Sequence, residues 1–301
     1  MMKWLSWFQR GRADGRAGQA VLDRDENAYL WSKERHKSSD VPYFLPSDSH
    51  EINRLDFQHF MVRYATQRNY IAPLHDPKSI LDVGCGTGRW AHEMATLFPR
   101  AKVFGLDSTA AYTKEGNTIP GNYRFLTGNV LEELPFPDMT FDYVHQRFMH
   151  MALPVNKWSH VVQELVRVTR PQGWVELVES DLIMHNQGPA MKQLTEWGFT
   201  LGQLRGIDPR ICTQIGNFLY QARLGNIQTY RIDLPIGAWG GRLGNMAASD
   251  LVAYNQAIKP KIISHFRLSS VEYDRLSSMM RREWENNHSY FSLYLVCGQK
   301  Q

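Results

Sequence analysis

The run Ser79-Ile80-Leu81-Asp82-Val83-Gly84-Cys85-Gly86-Thr87-Gly88 limits what this chain can fold into more than any other segment. An apolar strand reaches an acid, enters a loop with glycine at every second position, and continues into a helix predicted from Arg89. Glycine is needed where backbone turns through positive φ or lies close against a ligand. Strand, glycine loop and helix in that order form the nucleotide-cradling turn of doubly wound α/β proteins, with the helix N-terminus open to an anion. The spacing is G-x-G-x-G, which departs from the G-x-G-x-x-G fingerprint of dinucleotide sites.

A glycine loop alone marks many ordinary turns, but here three further strand ends follow in order. Asp107 closes the apolar run Lys102–Leu106 and lies 19 residues beyond Gly88. That is close to the offset at which an acid meets ribose hydroxyls. Tyr123–Thr127 reads as a third strand that leads into Gly128, Asn129 and Val130, where an amide can reach an adenine amino group. Thr140–Gln146 reads as a fourth. Ligands bind outside the carboxyl ends of such strands. This combination points away from a nicotinamide and toward S-adenosylmethionine.

On these residues, the stretch from about Lys78 to Ser180 resembles the core of the class I S-adenosylmethionine-dependent methyltransferases. Leu81–Gly88 is similar to that family's first motif nearly letter for letter. The resemblance implies an α/β fold with a doubly wound, mostly parallel seven-stranded sheet. It implies S-adenosylmethionine as cofactor and S-adenosylhomocysteine as product. It further implies that Asp82, Gly84, Cys85, Gly86 and Gly88 form the cradle, with Asp107 and the adjacent Ser108 at the ribose. Asn129 and Val130 match the adenine-contacting position, where many relatives carry Asp. Gln146 falls where the fourth strand meets the methionine end.

A weaker resemblance extends outward. Phe44–Asp48, Arg54–His59 and Leu234–Gly240 look like segments that flank the core in methyltransferases of microbial secondary metabolism, the fungal regulator-type proteins among them. The expected activity is methyl transfer to an oxygen, nitrogen or carbon atom of a small molecule, of the specialised-metabolite kind. The alternatives are a methyltransferase for protein or RNA, and a regulator that binds the cofactor without turnover. Oxygen and carbon acceptors usually need a proton removed, so a general base helps. The candidates are His150, His145 and Glu179, with Asp181 and His185 further along; His is the natural base near neutral pH. In a strand, side chains alternate, so His145 can point beneath the sheet.

Bulk features bound the rest. A length of 301 residues suits one large α/β domain with decorations. A net charge of +4 with scattered Lys and Arg is too small and diffuse to indicate nucleic acid. Cys85, Cys212 and Cys297 are isolated, so neither a zinc site nor a disulfide framework is indicated, and a reducing cytoplasm fits. No run is long and apolar enough for a membrane helix. A homodimer stays open.

The expected layout is a flexible tail over 1–20, a helical lid over 21–76 and a cofactor-binding domain over 77–301, with a helical insertion at about 237–268. Leu55, Phe57, Phe60, Met61 and Tyr64 predict one apolar helix face at the pocket mouth. A helix over about 156–170 is expected to stop at Pro171-Gln172-Gly173, before a strand from Trp174. Asp208-Pro209 predicts the start of a helix ending at Gly225, and the last two strands are expected to pair as an antiparallel hairpin. Tyr43, Phe44, Trp239, Tyr254 and Phe266 are the aromatics from which an apolar substrate pocket could be drawn.

Overall fold

The structure, a computed structural model, describes residues 49–109 and 119–301. The expected tail and most of the expected lid, with Tyr43 and Phe44, lie outside them. Among the described residues, seven strands form one sheet. In chain order they are β1 (Ser79–Val83), β2 (Lys102–Asp107), β3 (Tyr123–Thr127), β4 (Phe141–Arg147), β5 (Thr169–Ser180), β6 (Leu224–Pro235) and β7 (Tyr290–Lys300). Their spatial order is β3-β2-β1-β4-β5-β7-β6. The pairs from β3 to β5 are parallel, and β7 runs antiparallel to both β5 and β6.

Central strands buried on both faces read as continuous apolar runs, and every residue of β1 is buried. Leu81, Val83, Val144, Val175 and Leu177 face one layer, built on α3 (Trp158–Val168) and α5 (Ile215–Gln221). Ile80, Tyr143 and Trp174 face the opposite layer, where they meet Trp90, Ala91 and Met94 of α2 (Arg89–Leu97). A third core lies over Val178, Leu293 and Leu295. It is roofed by α1 (Ser49–Thr66), α4 (Pro189–Gln203), α6 (Gly241–Phe266) and α7 (Ser270–Asn287).

Two glutamates of α7 organise that roof. Glu283 accepts the Ala190 and Met191 N–H groups at 2.9 and 2.8 Å, which satisfies the open N-terminus of α4. Glu285 accepts the N–H groups of Ala238 and Trp239 at 2.6 and 3.1 Å, at the entrance to the insertion. The expected closing hairpin is thus an antiparallel pair interrupted by two long helices.

Several local expectations need correction. The α1 stripe is not the apolar one predicted: Phe60 and Tyr64 are 45% and 40% exposed, while Glu51, Arg54 and His59 are buried beside Met61 and Val62. Paired charges make this possible. Arg54 meets Glu51 at 2.7 Å and Asp250 of α6 at 2.9 Å, and His59 meets Glu93 at 3.1 Å. The α3 helix ends at Val168, and β5 begins at Thr169 and runs through Pro171. Lys300 of β7 supplies the stop instead, with Nζ donating to the Val166 and Thr169 carbonyls at 2.7 Å each. Asp208 does accept the Arg210 N–H, but it opens a 3-10 turn over Pro209–Gln214, and Gly225 belongs to β6.

Candidate active site

The cradle begins where β1 ends. Gly84, Gly86 and Gly88 have φ of 69°, 53° and 75°, a region L side chains seldom enter. Gly84 and Cys85 donate their N–H groups to the Leu106 carbonyl at 2.8 and 3.1 Å, which fastens the loop to β2. A Cβ on Gly84 would strike the sulfur of Met149, so this glycine also admits the segment after β4. Cys85 turns its sulfur inward toward Gly105 and Tyr123, and burial pushes its thiol well up. That describes an inert packing residue, not a nucleophile.

Asp107 sits at the end of β2. Its Oδ2 accepts the Gly86 N–H at 2.8 Å and its Oδ1 accepts the Thr109 N–H at 3.1 Å. Oδ2 keeps a further lone pair, and Oδ1 shares its second with the Ser108 hydroxyl, so the carboxylate can still accept a sugar hydroxyl. Burial raises its carboxyl above the ordinary aspartate value. Ser108 Oγ lies 3.4 Å from Oδ1. Asn129 first closes the turn after β3, accepting the Leu131 N–H at 3.0 Å and donating to Glu132 at 3.1 Å; Val130 beside it is buried.

Gln146 is fully buried, and among the described residues neither atom of its amide has a hydrogen-bond partner. A buried amide left without partners is costly and calls for a ligand or water. It pairs in register with Val83, one residue before the cradle. Positive-φ glycines, a carboxylate with spare lone pairs and an unpartnered amide together fit a nucleoside with a polar amino-acid tail.

The structure brings two of the three catalytic candidates together and sets the third apart. His150 Nδ1 lies 2.8 Å from Glu179 Oε2, and both residues are buried. Glu179 also accepts the N–H groups of Met149 and His150, at 3.0 and 3.1 Å. A carboxylate that accepts from Nδ1 places the proton there and leaves Nε2 as a lone pair. His145 faces the other side of the sheet. Its Nδ1 is 2.8 Å from Asp82, and its ring stacks on Trp90 at 3.8 Å. The Asp82 carboxylate therefore serves His145 beneath the loop.

Asp181 and His185 have structural surroundings. Asp181 accepts the N–H groups of Ile183 and Ser292 and the Tyr294 hydroxyl, and His185 stacks on Tyr290 at 4.5 Å. Of the expected pocket aromatics, Trp239 is 39% exposed, Phe266 stacks on Trp197, and Tyr254 lines a cavity among α4, α6 and α7.

Sequence reading missed the role of Asp56. Its carboxylate accepts the Thr87 hydroxyl at 2.5 Å and the Arg89 guanidinium at 2.9 Å. Leu55 beside it lies 3.6 Å from where a Cβ on Gly86 would stand. The α1 helix thus rests on the glycine loop. The only hint was that Arg54–His59 looked like a flanking segment, with no role attached to any residue. Among the described residues no helix is long and apolar enough to cross a membrane.

Comparison with known proteins agrees with this geometry. Residues 80–173 match the family described as "Methyltransferase domain". The chain is 30% identical over 281 residues to methyltransferase pytC of Aspergillus terreus, covering 86% of this chain and 83% of that one. It is 30% identical over 206 residues to methyltransferase str3 of Strobilurus tenacellus, covering 66% of this chain and 72% of that one. The secondary metabolism regulator LAE1 of Cochliobolus heterostrophus is 32% identical over 147 residues, 46% of each chain. With this cradle, this sheet and these relatives, the chain belongs to the class I S-adenosylmethionine-dependent methyltransferases.

Proposed function

We propose that this enzyme methylates an oxygen, nitrogen or carbon atom of a small specialised metabolite, with His150 as general base and Glu179 as its positioning residue. The observation that carries the reading is the 2.8 Å contact between His150 Nδ1 and Glu179, one residue beyond the Met149 that covers Gly84. Bound in the cradle, S-adenosylmethionine supplies an activated methyl group on a sulfonium. Asp107 would accept its ribose hydroxyls, Asn129 and Val130 would meet the purine, and Gln146 would pair with its amino-acid end. His150 Nε2 would take the acceptor's proton, while Glu179 keeps the imidazole in the required tautomer and orientation. The neighbouring apolar core excludes water and holds the acceptor in line. The name of one relative, the secondary metabolism regulator LAE1, supports that metabolic context. Three unpaired cysteines support a reducing, cytoplasmic setting, and the diffuse charge supports a partner other than nucleic acid.

The test is incubation of the full chain with methyl-labelled S-adenosylmethionine and an extract of the organism that encodes it. Label in the small-molecule fraction, lost in His150→Ala while S-adenosylhomocysteine still binds, is the expected result. Label in protein or RNA would replace the substrate class. Tight cofactor binding with no labelled product would favour a regulator, the reading that the partial similarity to LAE1 keeps in play.

A further inference from the structure

Arg147 ends β4 with a guanidinium that no carboxylate among the described residues meets. The side chain is half-buried, and its partners are His59 Nδ1 at 3.2 Å and the Phe148 ring at 5.7 Å. Three carboxylates act on it from further away, Asp82, Glu93 and Glu179. Each already has a partner: Asp82 lies 2.8 Å from His145, Glu93 3.0 Å from Arg63, and Glu179 2.8 Å from His150. A guanidinium drawn out of water without a counter-charge is costly, so the position calls for an anion from outside the chain.

A neutral histidine holds the group in place. A guanidinium only donates, so His59 presents a lone pair at Nδ1 and carries its proton on Nε2, which faces Glu93 at 3.1 Å. Burial keeps the His59 pKa below the ordinary histidine value, in agreement with a neutral ring. That contact occupies one N–H of the guanidinium fork and leaves the others unused. The group also stands at the glycine loop. Gln146 pairs in register with Val83, so the residues that follow, Arg147 and Gly84, leave the sheet side by side, about 4.8 Å apart. His59 lies one turn along α1 from Asp56, which accepts the Thr87 hydroxyl of the same loop.

We infer that Arg147 is the counter-charge for the α-carboxylate of bound S-adenosylmethionine, held toward it by His59. The inference rests on the reading of the glycine loop as the cofactor cradle. It adds the residue that recognises the acidic end of the cofactor's amino-acid tail. A planar guanidinium matches a carboxylate with two parallel N–H donors. The consequence is selectivity: decarboxylated S-adenosylmethionine carries the same activated methyl group, and this chain rejects it. A charge-assisted contact of this kind favours the carboxylate-bearing ligand by about 10- to 100-fold.

The test is calorimetry on the full chain with two ligands, S-adenosylhomocysteine and its decarboxylated analogue, S-adenosyl-3-thiopropylamine. They differ only in the carboxylate. No methyl acceptor is present, so an acidic acceptor, the other source of a carboxylate, cannot produce the preference. The wild type should bind S-adenosylhomocysteine about 10- to 100-fold tighter than the analogue. Arg147→Met should lower the affinity for S-adenosylhomocysteine by that factor and leave the affinity for the analogue within about twofold. Arg147→Lys keeps the charge without the fork and should retain part of the preference. Should Arg147→Met not fold, the wild-type comparison and Arg147→Lys carry the test. Equal binding of the two ligands by the wild type, a full preference that survives Arg147→Met, or equal weakening of both ligands in that variant would each overturn the inference. Failure of S-adenosylhomocysteine itself to bind the wild type would instead overturn the functional reading beneath it.

Discussion

Asp56 of α1 receives the Thr87 hydroxyl at 2.5 Å, and through this contact a helix outside the sheet grips the glycine loop after β1. The same carboxylate holds Arg89 at the first position of α2, so one side chain ties together α1, the loop and the N-terminus of α2. Asp56→Ala should leave the sheet intact and weaken S-adenosylhomocysteine binding by about tenfold, since it removes a charge-assisted contact and frees α1. Calorimetry gives the affinity. An unchanged affinity would show that α1 rests on the loop without stabilising it.

Gln146 sets stability against function. Its amide is fully buried and unpartnered among the described residues. Gln146→Leu keeps the volume and removes the unsatisfied groups, so the cofactor-free protein should gain about 1–2 kcal/mol. Cofactor affinity should fall at the same time. Thermal unfolding with and without S-adenosylhomocysteine measures both, and a loss of stability in the cofactor-free variant would contradict the account.

Asp107 should make cofactor binding pH-dependent. Burial holds its carboxyl above the ordinary aspartate value, and the ionised form is the one that accepts two ribose hydroxyls. Acidification through that raised value protonates it, so affinity falls as pH drops, starting above about pH 4. In the cofactor-free protein the sign reverses. A folded state that binds the proton more tightly than the unfolded chain gains stability from this residue as pH falls. Asp107→Asn should bind weakly at every pH and show no such slope; a wild-type slope in the variant would assign the dependence elsewhere.

On the proposed mechanism, Glu179 acts through His150. Glu179→Gln keeps the shape but replaces an acceptor facing Nδ1 with an amide that can also donate, which loosens the tautomer. It should lower kcat by about 10- to 100-fold with little change in S-adenosylhomocysteine affinity. His150→Ala should lower it by about 100-fold or more. His145→Ala should act differently, through stability, because it leaves the buried Asp82 carboxylate without its partner and removes the ring stacked on Trp90. Steady-state kinetics paired with unfolding curves separates the two histidines.

The buried Arg54–Asp250 pair joins α1 to α6 at 2.9 Å. Asp250→Ala leaves Arg54 still paired with Glu51 but removes its tie to α6, and should cost about 1.5–3 kcal/mol. If the single variant unfolds like the wild type in a denaturant titration, the pair does not hold the roof in place.

The sheet and the cradle were legible in the sequence because both are local. Period-two burial and all-apolar strands mark β1 to β5, and a loop that must turn through positive φ three times admits little besides glycine. The place of Asp107 at the end of the next strand was recoverable because one crossover helix dictates the offset. The α1 face was not. Its buried positions are Glu51, Arg54 and His59, which look like a solvated surface until Asp250 and Glu93 arrive to neutralise them. The extent of α3 was misread for a similar reason: its last carbonyls are capped by Lys300, more than 130 residues away, and not by the nearby proline.

What the chain's order of residues determined by itself was therefore the class of fold, the cofactor and the order of the strand ends, since each depends on neighbours within one supersecondary unit. Where each histidine lies relative to the sheet was decided only in three dimensions. His145 and His150 are five residues apart and chemically identical, yet strand alternation puts one under the sheet against Asp82, while the turn after β4 carries the other to Glu179. Both are buried and both have a carboxylate 2.8 Å from Nδ1, so what separates them is the face of the sheet each occupies, which contacts between distant segments decide.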